Sequence, residues 1–183
     1  MSEYSCFAPA FLISVPQLLD PNFYHAVVLL IEHGKEGAMG LTINHPTDFS
    51  IKTVYEQMGR VWYGPQDAKL MRGGPVQPER AWILHGPGCK VGTLHKITEE
   101  IYLNTSFDAL DELSKKKMPF RFCIGYAGWA PGQLDREIQE GAWILSEVDT
   151  ALVLHTPFED VWERSLKNMG IDPSMLVMGT GIH

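Results

Sequence analysis

Apolar positions along this chain fall into short blocks separated by Gly, Pro and Asn-rich punctuation. Phe11 to Val15 reads as a strand, and Asp20-Pro21-Asn22 is a turn signal. Ala26 to Ile31 is an unbroken, largely β-branched apolar run. Being apolar on both faces, it predicts a central strand. Gly34 to Gly37 predicts a turn and Met39 to Asn44 a second strand, so the pair reads as a hairpin. Arg80 to His85 alternates, with Ala81 and Ile83 on one face and Trp82 and Leu84 on the other. Phe120 to Tyr126 predicts a buried strand, and Trp143 to Leu145 and Ala151 to Leu154 two short ones.

A different period marks the helices. Ser50 is a good N-cap, and Ile51, Val54, Tyr55 and Met58 follow at i, i+3, i+4 and i+7 before Gly59 stops the pattern. Ser106 caps a second helix with a stripe of Phe107, Leu110 and Leu113. Pro131 opens a third, with Leu134 and Ile138 buried and Gly141 at its end. Thr156-Pro157-Phe158-Glu159 has the form of a capping box, and its helix buries Val161, Trp162 and Leu166 up to Gly170. Neighbouring strands are joined by turns too short for parallel crossovers. The predicted fold is therefore α+β: one domain over residues 1–183, with a mixed, mostly antiparallel central sheet packed by about four helices.

Composition narrows the function classes. With 45% apolar and 20% charged residues, the chain reads as globular and not disordered. Fifteen basic against 22 acidic residues give a net charge of −7, which disfavours nucleic acid as a partner. The one dense basic run, Lys115-Lys116-Lys117, falls where a helix ends, and cations there complement the helix dipole. Cys6, Cys89 and Cys123 are odd in number and widely spaced, which points to a reducing compartment and away from disulfides or zinc. Neither a signal peptide nor a membrane-length apolar run is present, so the expected location is cytoplasmic.

Motifs for known chemistry are absent. No GxGxxG, phosphate loop or GxSxG occurs. The seven histidines sit at no helical ligand spacing, so no metal and no cofactor is expected. His33, His45, His85 and His155 all fall at predicted strand ends, where they can converge. Cys89 lies in a Gly-Pro-Gly loop beside Lys90, a neighbour that favours thiolate.

Three constellations remain as ligand-binding candidates. Gly125 to Leu134 runs from a strand through a glycine-rich turn into a helix N-terminus. Its Gly132 and Gln133 N–H groups can hold an anion, and Tyr126 and Trp129, on either side of the candidate Gly128, offer a stacking wall. Arg72-Gly73-Gly74-Pro75 can form an anion-binding nest with Arg72 as a bidentate partner. Asp20 and Asn22 shape a turn, and His33 with Glu36 offers an acid/base pair. Each has a structural alternative: tight glycine corners, a solvated arginine and wet loop side chains.

The same segments carry a family likeness. Leu12 to Pro16, Asp20-Pro21-Asn22-Phe23, Glu36 to Leu41, Ile43-Asn44-His45-Pro46, Gly73 to Val76, Leu84-His85 and Gly125 to Leu134 occur in the order and spacing of one family. Through them the chain resembles the AlgH/YqgE family of bacterial proteins from about Phe11 to His183. The resemblance implies a cytoplasmic single domain of α/β type and implies no activity. Some members carry the label of transcriptional regulator, but this chain has no helix-turn-helix pair with a basic second helix. Two departures stand out: Ala130-Pro131 where the family continues Gly-Trp with glycine, and Gly181-Ile182-His183 where it commonly ends Gly-His-Ala.

These observations favour a non-catalytic regulatory or binding protein that recognises a small ligand or a protein partner. The alternative is an enzyme, a hydrolase or transferase, using His33, His85 or Glu36 with donors at a helix N-terminus. Direct DNA binding is the least supported by charge. No catalytic residue is assigned, and the oligomeric state is left open.

Overall fold

The computed structural model describes residues 6–18 and 20–175. In chain order its elements are β1 (Ala10–Ser14), β2 (Val27–Gly34), β3 (Gly37–Thr42), β4 (Pro46–Ser50), α1 (Ile51–Gln57), β5 (Lys69–Arg72), β6 (Val76–His85), β7 (His95–Lys96), β8 (Tyr102–Asn104), α2 (Phe107–Lys115), β9 (Phe120–Trp129), α3 (Gln133–Gln139), β10 (Trp143–Ser146), α4 (Thr150–Leu154) and α5 (Phe158–Asn168). The ten strands form one sheet along the path β10-β1-β2-β3-β9-β6-β8-β7, with β5 and β4 branching from β9. Among the described residues only the β5–β9 pairing is parallel. This is the α+β, mostly antiparallel architecture that the pattern predicts.

Strand alternation divides the core into layers. Phe11, Ile13, Val27, Leu29, Trp82, Leu84 and Cys123 pack with Leu152 and Val153 of α4 and Val161, Trp162 and Leu166 of α5. Their neighbours point the other way: Ile83 and Phe122 meet α1 and α2, while Leu12, Val28 and Leu30 meet Leu134 of α3. The apolar run of β2 is thus covered on both faces. Each such side chain contributes about 1.5–3 kcal/mol by leaving water.

Local signals hold where a cap or an alternation specifies them. Ser50 Oγ accepts the Thr53 N–H at 3.1 Å, and Ser106 Oγ accepts the Asp108 N–H at 3.2 Å. The hairpin closes at Gly34–Gly37. Three expectations are corrected. Ala151 to Leu154 lies in a helix, because Asp149 caps it by accepting the Ala151 N–H. Thr156 forms no capping box; its hydroxyl donates to the Ala151 carbonyl, and α5 starts behind Pro157 without a side-chain cap. The segment Gly125 to Trp129 is not a turn but continues β9, paired with β3 through Ala127, Gly128 and Trp129. Its helix accordingly starts at Gln133, after the left-handed Gly132.

One buried charge ties the layers together. Arg121 of β9 is 9% exposed. Its Nε donates to the Val153 carbonyl at 2.7 Å and its Nη1 to that of Ile43 at 3.0 Å. Its Nη2 donates to Leu152 at 3.3 Å and Thr156 at 2.7 Å. Two of these carbonyls, Leu152 and Val153, belong to the last turn of α4, where helix carbonyls lack intrahelical partners, and a third, Thr156, to the segment just after it. The guanidinium therefore serves as the cap of α4 and bolts it to the centre of the sheet. Burial lowers its pKa, and it makes no ion pair with a carboxylate among the described residues. Arg121→Met keeps the bulk but removes every donor. We expect it to lower stability by ~3 kcal/mol or more. A shift of the urea midpoint at unchanged slope checks this, and an unshifted midpoint contradicts it.

Candidate functional site

The predicted binding segments meet at the C-terminal end of β9, mostly backbone against backbone. Gly73 and Gly74 are buried against Gly125 and Tyr126, so closely that a Cβ on Gly74 would collide with the Tyr126 backbone. The Gly73 N–H donates to the Ile124 carbonyl at 2.7 Å, and the Gly73 carbonyl accepts from Thr42. That N–H is therefore not open to an anion. Arg72 is exposed, and its backbone N–H donates to His45. Pro75 is also exposed.

The aromatic residues here anchor the core. Trp129 is 5% exposed, and its Nε1 donates to Glu137 at 3.1 Å. Trp143 donates to the same carboxylate oxygen at 2.9 Å. Gln133 donates to the other oxygen and accepts the Ala130 N–H. Asp20 closes its turn by accepting the Asn22 N–H at 2.9 Å, which brings Phe23 onto Trp129 and Trp143. Gly132 is exposed with φ 76°.

His33 and His85 do not converge. His33 is buried, with Nε2 3.2 Å from Asp135 and Nδ1 accepting the Phe7 N–H. Glu36 is exposed in the hairpin turn. His85 lies at the other end of β9, opposite Phe120, while the strand carrying His33 reaches β9 through Ala38 opposite Trp129. The length of β9 between them is roughly 30 Å at 3.3 Å per residue. Buried His85 sits beside the Gly86 carbonyl and the Asn104 amide. His45 lies near His25, whose ring is stacked between Tyr24 and Trp162. Burial lowers the pKa of both. Among the described residues no His, Cys, Asp and Glu group has metal-binding geometry. The terminal His183 lies outside the described residues.

Two concavities flank β9. At its C-terminal end a groove of about 530 Å³ is lined by Glu32, Arg80, Trp82, Tyr126, Gly128 and Trp129, among others. Arg80 lies over the Trp82 ring at 4.4 Å. The Trp82 Nε1 is buried without a hydrogen-bond partner.

At the N-terminal end lies the larger cleft, about 780 Å³. Its floor and walls are apolar: Ile51, Met71, Met118, Phe120, Phe122 and Leu154, with the Tyr63 ring at its edge. Its charged groups are Lys69, Lys117 and Arg121, with His155 beside them. Lys117 stands in the left-handed region at φ 55°. It closes α2 in a Schellman motif, with Lys117 N–H donating to Ser114 and Met118 N–H to Leu113. The basic run splits three ways: Lys115 covers Tyr63, Lys116 pairs with Glu112, and Lys117 lines the cleft. Sequence reading assigned the run to the helix dipole and missed this cleft. The available signal was an arginine inside the apolar strand Phe120 to Tyr126.

With this geometry established, comparison with known proteins gives the family. A family model described as AlgH-like matches residues 11–174. The chain belongs to the AlgH-like family. A UPF0301 protein of Myxococcus xanthus is 38% identical over 179 residues, covering 96% of this chain and 98% of that protein. A UPF0301 protein of Thioalkalivibrio sulfidiphilus is 36% identical, covering 96% of each. The solution structure of the AlgH protein from Pseudomonas aeruginosa superimposes with a TM-score of 0.75 at 32% identity, over 97% of this chain and 96% of that one. A Corynebacterium diphtheriae protein at 21% identity shares the fold, with a TM-score of 0.76 over 96% of this chain and 94% of that one. Among the described residues no helix of this AlgH-like chain is long and apolar enough to cross a membrane.

The loop thiol behaves differently from its sequence expectation. Cys89 is 2% exposed and donates to Glu112 at 3.1 Å. Burial raises its pKa, and the Glu112 carboxylate acts in the same direction. Burial pushes the Cys123 thiol up to about 12. At mildly alkaline pH both should carry little thiolate. In the native protein exposed Cys6 should alkylate first. Cys89 should react at least ~100-fold more slowly than after denaturation. Mass spectrometry of a timed alkylation reads this, and Cys89 labelling at the pace of Cys6 would contradict it.

Proposed function

We propose that this AlgH-like protein is a non-catalytic binding protein whose small ligand lodges in the 780 Å³ cleft at the start of β9. The cleft itself carries this reading. Its size and its apolar walls with a few placed polar groups match what small-molecule sites need. His33 and His85 stand toward opposite ends of β9, and His33 is engaged by Asp135, which counts against the acid–base constellation of an enzyme reading. Its net charge of −7 and the split basic run give DNA no continuous basic face. Three unpaired cysteines, two of them buried, fit action in a reducing cytoplasm.

The test uses phenylnaphthylamine, a neutral fluorescent aromatic. We expect it to bind the wild type, and Tyr63→Ala to weaken it about tenfold by removing one aromatic wall. Gly128→Trp fills the opposite groove at a site where a Cβ meets only ordinary contacts. It should leave the affinity unchanged. Failure to bind the wild type, or loss on Gly128→Trp with Tyr63→Ala silent, would move the site or remove it.

A further inference from the structure

We infer that the ligand of this cleft carries a negative charge, a carboxylate, sulfonate or phosphate on an apolar body, held by Lys69 and Lys117. This rests on the reading of the cleft as the ligand site. The chain has 22 acidic residues against 15 basic, yet among the described residues every charged one lining the cleft is a cation. Lys69 and Lys117 form no ion pair among the described residues, whereas Lys116 beside them is paired with Glu112. Behind them Arg121 is sealed among carbonyl groups, with no carboxylate partner. Four of its five N–H groups are spent on those carbonyls. An anion on an apolar body entering the cleft would meet both these cations and the apolar residues Met118, Phe120 and Tyr63 in one lining.

Lys117 adds a second, independent observation. Its position at the end of α2 is the left-handed one that glycine occupies at least cost. A lysine there is worse for the backbone than glycine, but the residue lines the cleft. Lys117→Gly therefore separates fold from function, because it relieves the left-handed residue while removing the charge.

The experiment compares two probes with one body: anilinonaphthalene sulfonate and its neutral parent, phenylnaphthylamine. At low ionic strength the wild type should bind the sulfonate about tenfold more tightly or better, and the preference should shrink as salt rises. In Lys69→Gln/Lys117→Gly the preference should vanish, with neutral-probe affinity and Tm not lowered. Lys117→Asn, which also tolerates the left-handed region, repeats the test with a different side chain. Equal affinity for both probes in the wild type, or a preference retained in the double variant, overturns the inference and leaves the proposed site standing. Failure of both probes to bind overturns the two together.

Discussion

A cation buried without a counter-charge is stable only if dipoles surround it, and Arg121 meets that condition with four carbonyl groups. Two come from the last turn of α4, one from Thr156 just after it and one from Ile43, just beyond β3. One side chain thus fixes the position of α4 on the sheet and the orientation of the strand that carries it. The helix needs this contact. Its five residues make too few internal bonds to persist alone, and its carbonyl end would otherwise be buried unsatisfied. Arg121 is also among the residues that line the 780 Å³ cleft, so the residue that holds the fold together borders the cavity.

β9 organises everything else. It pairs with β3, β5 and β6, and the two concavities that flank it sit at its opposite ends. At the C-terminal end, Gly73 and Gly74 lie on Gly125 and Tyr126 with no room for a Cβ on Gly74. Glycine is required there for close approach of two backbones. Glu137 then satisfies the indole N–H groups of both Trp129 and Trp143. At the N-terminal end the chain turns less tightly, and the space between α2, β5 and α4 is left open.

How much of this was legible depends on whether a local rule decided the outcome. Ala26 to Ile31 could only be a strand buried on both faces, and Ser50 and Ser106 announced their helices by capping chemistry. β4 was not visible, since Pro46 to Ser50 is polar, largely exposed and without alternation. Ala151 to Leu154 has strand composition but is helical, because Asp149 caps it and Arg121 takes its carbonyls from a distant part of the chain. The glycines of Gly125 to Trp129 suggested a turn, whereas their reason is the crossing with Gly73 and Gly74, which no local pattern encodes. The cleft was hidden for a similar reason. Tyr63, Lys69, Lys117 and Phe120 come from two stretches of chain far apart in sequence and share no period.

The most direct test of the account is an amide ¹H–¹⁵N correlation spectrum recorded while anilinonaphthalene sulfonate is added to the intact protein. A ligand site at the start of β9 predicts the largest shifts at Tyr63, Lys69, Lys117, Phe120 and His155, with the Tyr126–Trp129 segment unmoved. Shifts concentrated at Arg80, Tyr126 and Gly128 would contradict it and assign the site to the opposite groove.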